Sequence, residues 1–192
     1  FGYSSLRNNT TGGNNSSFGY DALKNSTTGS GNSAFGSKAL TSITTGGDNV
    51  AIGNKAGQSF TTGSANVAIG AYSMQSATGS NNIAIGNGSM TNTTADYNIG
   101  IGSSVLAQNT SGGSNVAVGF SALHSNTTGN NNLAFGNSAL YSNTTGYFNT
   151  AIGENSLYYN TTGYRNTALG RNSLTSNTTG YQNTASGYSA LA

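Results

Sequence analysis

An apolar residue followed by glycine returns along the whole chain, at Phe1-Gly2, Phe18-Gly19, Phe35-Gly36, Ile52-Gly53, Ile69-Gly70, Ile85-Gly86, Ile101-Gly102, Val118-Gly119, Phe135-Gly136, Ile152-Gly153 and Leu169-Gly170. Ser186-Gly187 closes the series. The step is 17 residues, except for two steps of 16, from Ile69 to Ile85 and from Ile85 to Ile101. A period held this long confines the chain to a repeat architecture, in which each unit packs only on its neighbours. Residues 1–192 thus read as one repeat domain of eleven complete or near-complete units and a partial twelfth that ends at Ala192. A start at Phe1 rather than Met suits a piece of a longer fibre.

Let the apolar residue be position one of the unit. Position two is glycine, position five is small except at Val105, and position six is Leu or Met except at Gly57. A Thr-Thr-Gly or related stretch follows. Position fifteen is Asn in every complete unit: Asn15, Asn32, Asn49, Asn66, Asn82, Asn98, Asn115, Asn132, Asn149, Asn166 and Asn183. Position seventeen is Ala except at Ser17 and Gly100.

A unit of this length is too short for two helices, and its Gly, Asn and Thr disfavour helix. Asn-Val-Ala-Ile-Gly, at 49–53 and 66–70, reads as a short strand bounded by turn formers. The Thr-Thr-Gly stretch reads as a turn in which glycine supplies the positive φ. One unit is then one coil of an all-β, parallel β-solenoid, and Leu6, Leu23, Leu40, Leu123, Leu140, Leu157 and Leu174 are expected at one recurrent buried position. The two short steps should lose their residue between positions six and fourteen. A slip inside the strand would turn every side chain to the wrong face.

Strand alternation places Asn, Ala and Gly of positions fifteen, seventeen and two on one face. It places Val50 with Ile52, Val67 with Ile69 and Ile83 with Ile85 on the other. The first face suits a narrow roll whose walls nearly touch. The second then forms an outward apolar stripe, and the simplest cover for it is the same stripe on other copies around a rotation axis. Ile52, Ile69, Ile85, Ile101, Val118 and Ile152 are the expected trimer interface. The alternative is a wider, triangular, monomeric β-helix with these residues inside.

The unit at 49–53 with Ala56, and at 66–70 with Ser73, resembles the YadA-like head repeat of trimeric autotransporter adhesins. The longer unit at 149–163 looks like repeats of phage tail-fibre and related bacterial surface proteins. The resemblance covers nearly the whole chain. It implies a left-handed parallel β-roll in a homotrimer, located outside the cell, on a cell surface or in a virion fibre, and acting in attachment to a host receptor or surface glycan. The adhesin repeat is shorter, so the extra residues here are expected to enlarge the Thr-Thr-Gly loop. The stalk and membrane anchor of that family have no counterpart in this sequence.

Composition narrows the chemistry. Charged residues are 5 % of the chain, and its 6 Lys and Arg are too few and too dispersed for a nucleic-acid stripe. The chain has 0 Cys, and no apolar run approaches the roughly 18 residues of a membrane span. Asp21, Asp48, Asp96 and Glu154 fall at different positions of the unit, so no general acid/base pair is expected. His124, the 1 imidazole, follows Leu123 as a solvent-facing turn residue, and Lys38 and Lys55 form a solvated edge. No enzyme motif, cofactor site or metal site is read. The reading is a non-enzymatic rod.

Three ladders remain as sites. Tyr147, Tyr164 and Tyr181 follow the turn glycine and either stack on a sugar or on one another. Thr pairs such as Thr27-Thr28 and Thr144-Thr145 form an array of the kind that ice-binding solenoids use, though here in a turn. Asn9, Asn92, Asn109, Asn126, Asn143, Asn160 and Asn177 satisfy the glycosylation sequon, as does Asn15. The remaining position-fifteen asparagines do not, so they read as a structural ladder, by side-chain amide stacking or by bonding to their own turn.

Overall fold

The computed structural model describes residues 1–192 as a parallel β-solenoid of about 10 turns. Its strands are Ser16–Phe18 (β1), Ser33–Phe35 (β2), Val50–Ile52 (β3), Val67–Ile69 (β4), Ile83–Ile85 (β5), Ile99–Ile101 (β6), Val116–Val118 (β7), Leu133–Phe135 (β8), Thr150–Ile152 (β9), Thr167–Leu169 (β10) and Thr184–Ser186 (β11). They form one 11-stranded sheet in sequence order. Every neighbouring pair is parallel, and like positions oppose each other, as in Val50↔Val67, Ala51↔Ala68 and Ile52↔Ile69. No helix is long and apolar enough to cross a membrane.

Across both short steps the register is unbroken: Val67↔Ile83, Ile83↔Ile99 and Ile99↔Val116. The missing residue is one Thr of the turn, as the alignment of Thr61-Thr62-Gly63 with Thr78-Gly79 shows. The turn absorbs the change because it holds few inward side chains, whereas every strand holds a buried middle residue, Ala in all but β1 and β6.

The strands bury their middle residue and turn the flanking two outward. Ala34, Ala51, Ala68, Ala84, Ala117, Ala134, Ala151 and Ala168 have 0 % exposure. This is the narrow roll. The wider helix with Ile and Phe inside is excluded, since Ile52 is 42 % and Phe135 54 % exposed. Leu23, Leu40, Leu123, Leu140 and Leu157 are fully buried, and Leu174 nearly so. Met74, Met90 and Leu106 fill the same column. Each such burial contributes about 1.5–3 kcal/mol. Leu6, in the first coil, is only partly buried because no coil packs on its outer side.

The backbone that delivers these leucines departs from expectation. The turn glycines, Gly12, Gly29, Gly46, Gly63, Gly129 and their equivalents, do not have positive φ. They are glycine for a steric reason: a β-carbon at Gly29 would lie 2.4 Å from the Gly46 carbonyl of the next coil. Positive φ occurs instead at position two, and at three places usually taken by non-glycine residues. The buried leucines are among these, as at Leu23 (φ 51) and Leu140 (φ 53), as are position four, as at Lys38 (φ 59), and position fourteen, as at Arg165 (φ 54). Left-handed backbone costs an L-residue about 1–2 kcal/mol. Stacking offsets it: Leu23 N–H donates to Ala39 O (3.0 Å), and Leu140 N–H donates to Ser156 O (3.0 Å).

The glycine of position two closes the strand in a conformation no side chain tolerates. Its φ runs from 123° at Gly70 to 144° at Gly19. A β-carbon at Gly53 would lie 2.7 Å from the carbonyl of Gly70. This glycine therefore faces its neighbour along the axis and not the interior, as strand alternation alone would place it.

Candidate functional site

The interior is held by two asparagine columns. In the first, the backbone N–H of each position-fifteen Asn donates to the side-chain Oδ1 of the Asn one coil earlier. The column is unbroken from Asn15 to Asn183, with distances of 2.8 Å at Asn98 to 3.1 Å at Asn49. The Nδ2 of most members reaches the other way, to the turn carbonyl of the following coil, as from Asn132 to Gly146 (2.8 Å) and from Asn149 to Gly163 (2.8 Å). Each asparagine thus ties three coils together. Only the amide, with one acceptor and two donors, can do so in a dry interior.

The second column lies at position nine and was not read from the sequence as structure. Asn126 donates to Asn109 Oδ1 (2.8 Å), Asn143 to Asn126 (2.8 Å), Asn160 to Asn143 (2.9 Å) and Asn177 to Asn160 (2.8 Å). Their second amide hydrogen closes the turn, as from Asn126 to Gly129 O (2.9 Å). Asn109, Asn126, Asn143 and Asn160 are fully buried. Their sequons are therefore a by-product of the turn, and in the folded rod these four are not acceptors. Asn9 and Asn92 are exposed.

The position-ten half of the threonine array is occupied, while the position-eleven side chains, such as Thr28 and Thr145, are exposed. Position-ten hydroxyls donate along the axis to the equivalent carbonyl of the next coil, as Thr27 to Thr44 O (3.2 Å), Thr127 to Thr144 O (3.0 Å) and Thr161 to Thr178 O (3.1 Å). A hydroxyl committed to the rod is poorly placed to order ice.

The tyrosine ladder stacks on itself. Tyr147 and Tyr164 lie 4.9 Å apart with a 4° angle between ring planes, and Tyr164 and Tyr181 lie 5.0 Å apart at 3°. The inner ring faces are covered by neighbouring tyrosines, which is the self-stacking alternative of the two read from the sequence. A second aromatic column joins His124, Tyr141 and Tyr158 at spacings of 5.1 Å. His124 is thus half-buried against Tyr141 rather than simply solvent-facing, and this desolvation lowers its pKa from the usual 6.5.

Two ion pairs form, both local. Lys24 lies 3.2 Å from Asp21, and Arg171 lies 3.1 Å from Glu154. Lys55 sits over the ring of Tyr72. No three acidic or imidazole side chains come together.

The outward stripe holds Phe18, Phe35, Ile52, Ile69, Ile85, Ile101, Val118, Phe135, Ile152 and Leu169 in one line of paired strand positions. Ile69, Ile85 and Val118 are partly exposed and the others are exposed. Beside it runs a second line, with Val50, Val67, Ile83, Ile99, Val116 and Leu133 at its centre, all partly exposed. No protein-family model matches the chain, and no curated protein or solved structure is significantly similar to it.

Proposed function

We propose that this chain is a rigid, non-enzymatic segment of a homotrimeric extracellular fibre, on a cell surface or a virion, and that the fibre serves in attachment. The observation that carries the reading is the outward stripe. One line of Ile, Val, Leu and Phe runs along β1–β10, and a second line of Val, Ile and Leu runs beside it along β3–β8, at a constant strand register. An apolar patch of that length on a chain with 5 % charged residues needs a cover. Another copy supplies a stripe of the same length and pitch, and a closed ring hides all of them at once. The likeness of 49–53 and 66–70 to YadA-like head repeats supports a three-fold ring and an attachment role.

Sedimentation of the isolated chain tests this. The wild type should run as a trimer, and the double variant Ile69→Asp, Ile85→Asp as a monomer that keeps its β circular dichroism. A wild-type monomer, or a trimer indifferent to both substitutions, rejects the reading.

A further inference from the structure

Position eight of the rod is interrupted by a single bulky aromatic. Position eight of the unit is a small or polar residue in every other coil, among them Asn25, Ser42, Gln108, Ser125, Ser142 and Ser176, but it is Tyr159 in the coil that starts at Ile152. Its coaxial neighbours are Ser142 and Ser176, so no ring stacks over Tyr159 along the axis. Tyr159 meets Tyr158 edge to face, at 4.7 Å between centroids and 76° between planes. Its side chain is 54 % exposed. The corner opens into the one cleft of the molecule, of about 340 Å³, lined by Ser138, Asn155, Tyr158, Tyr159 and Thr175.

We infer that this cleft binds a neutral saccharide unit. No charged side chain lines it. It joins two aromatic rings to polar groups with capacity to spare, the combination that takes the C–H face of a sugar against a ring and its hydroxyls at the rim. The hydroxyls of Tyr158 and Tyr159 make no hydrogen bond within the chain. Ser138 donates to Asn137 Oδ1 (2.8 Å) and Thr175 donates to the Asn155 carbonyl (3.3 Å), which leaves both oxygens as acceptors. The Asn155 amide makes one long bond, to Asn172 Oδ1 (3.4 Å). Tyr158 is held from behind by its stack on Tyr141, so the corner is preformed. All five residues come from one chain, so the inference does not depend on the trimer.

The probes are glucose, galactose, N-acetylglucosamine, N-acetylgalactosamine and N-acetyllactosamine, with sialyllactose as the charged counterpart. Saturation-transfer NMR and tyrosine emission report binding, the latter undisturbed because the chain has 0 Trp. At least one neutral sugar should bind with a dissociation constant of about 1 mM. Tyr159→Ser, which installs the residue of the adjacent coils, should weaken it about tenfold with melting and sedimentation unchanged. Asn155→Ser, the residue of Ser138 at the same left-handed position, should also weaken it. Tyr164→Ser should leave it intact. The inference is overturned if no neutral sugar binds, if binding survives both cleft substitutions, if only sialyllactose binds, or if Tyr164→Ser abolishes binding and Tyr159→Ser does not.

Discussion

Phe60 occupies the space that Gly57 leaves empty. Gly57 stands where every other coil has Leu or Met, and Phe60 stands at position nine of the same coil, fully buried. A β-carbon at Gly57 would lie 3.2 Å from Phe60 Cδ2 and 2.8 Å from Leu40 Cδ2. The backbone there keeps φ 57, close to that of the leucines it replaces. The exchange is therefore one of volume, not of conformation. Phe60→Ala should cost about 3–5 kcal/mol. Gly57→Leu should also destabilise, by overpacking. Together they recreate a coil much like its neighbour with Met74 and Ala77, so the double variant should be more stable than the Phe60→Ala single. Additive losses in denaturant melts would refute the exchange.

Position nine also explains two buried hydroxyls. Between Asn9 and Asn109 the column holds Ser26, Ile43, Phe60, Ala77 and Thr93, and the oxygens of Ser26 and Thr93 have no hydrogen-bond partner. Each interrupts the polar column with a group the apolar stretch cannot satisfy. Thr93→Val removes that group at nearly constant shape, and stability should rise by about 1 kcal/mol, read as a higher melting temperature. A fall in melting temperature would mean that the hydroxyl has a partner.

The Asn column should be most sensitive in its middle. Asn132→Ala removes the acceptor of the Asn149 N–H (3.0 Å) and Nδ2 (3.2 Å) and the donor to Gly146 O (2.8 Å) and Asn115 Oδ1 (3.2 Å), while its backbone N–H keeps its bond to Asn115. Each buried group left unpaired costs about 1–3 kcal/mol. Asn15→Ala breaks the bonds to Gly29 O and Asn32 N–H at an end water can reach, and should cost less. Equal losses at the two sites would reject the column as a source of internal stability.

The sequence made the coil legible because period and strand parity act on side-chain size. Ala51 inside, Ile52 outside and Leu40 buried all follow from a fixed register and the need to fill a narrow interior. Torsions were not legible in the same way. A leucine with φ near 50° contradicts its intrinsic preference, and only the hydrogen bond from each coil to the next holds it there, as at Leu40 N–H to Ala56 O (3.0 Å). The expectation that the turn glycine carries the positive φ failed for this reason: propensity describes an isolated turn, whereas here the stack decides. The second Asn column was hidden because its members coincide with sequons and give way to Ser26, Ile43, Phe60, Ala77 and Thr93 in the first half of the rod, so that no single chemistry marked the position. The Tyr158–Tyr159 corner was not legible in the period, because Tyr159 breaks position eight in one coil only.

Acid should destabilise the rod through His124. His124 stacks on Tyr141 at 5.1 Å, and partial burial lowers its pKa below 6.5. The folded rod therefore favours the neutral ring, while the unfolded chain takes up a proton at the ordinary value. The sign follows: the contribution is fully present above about pH 6.5 and is lost as pH falls through the depressed folded value. Wild-type rod should be less stable at about pH 5 than at about pH 7.5. His124→Tyr extends the column of Tyr141 and Tyr158 by one ring that does not titrate in this range, so it should flatten the difference and raise stability at the acid end. Urea midpoints of both proteins at the two pH values are the measurement. A wild type that gains stability on acidification, or a variant with the same pH slope, would exclude His124 as the titrating group.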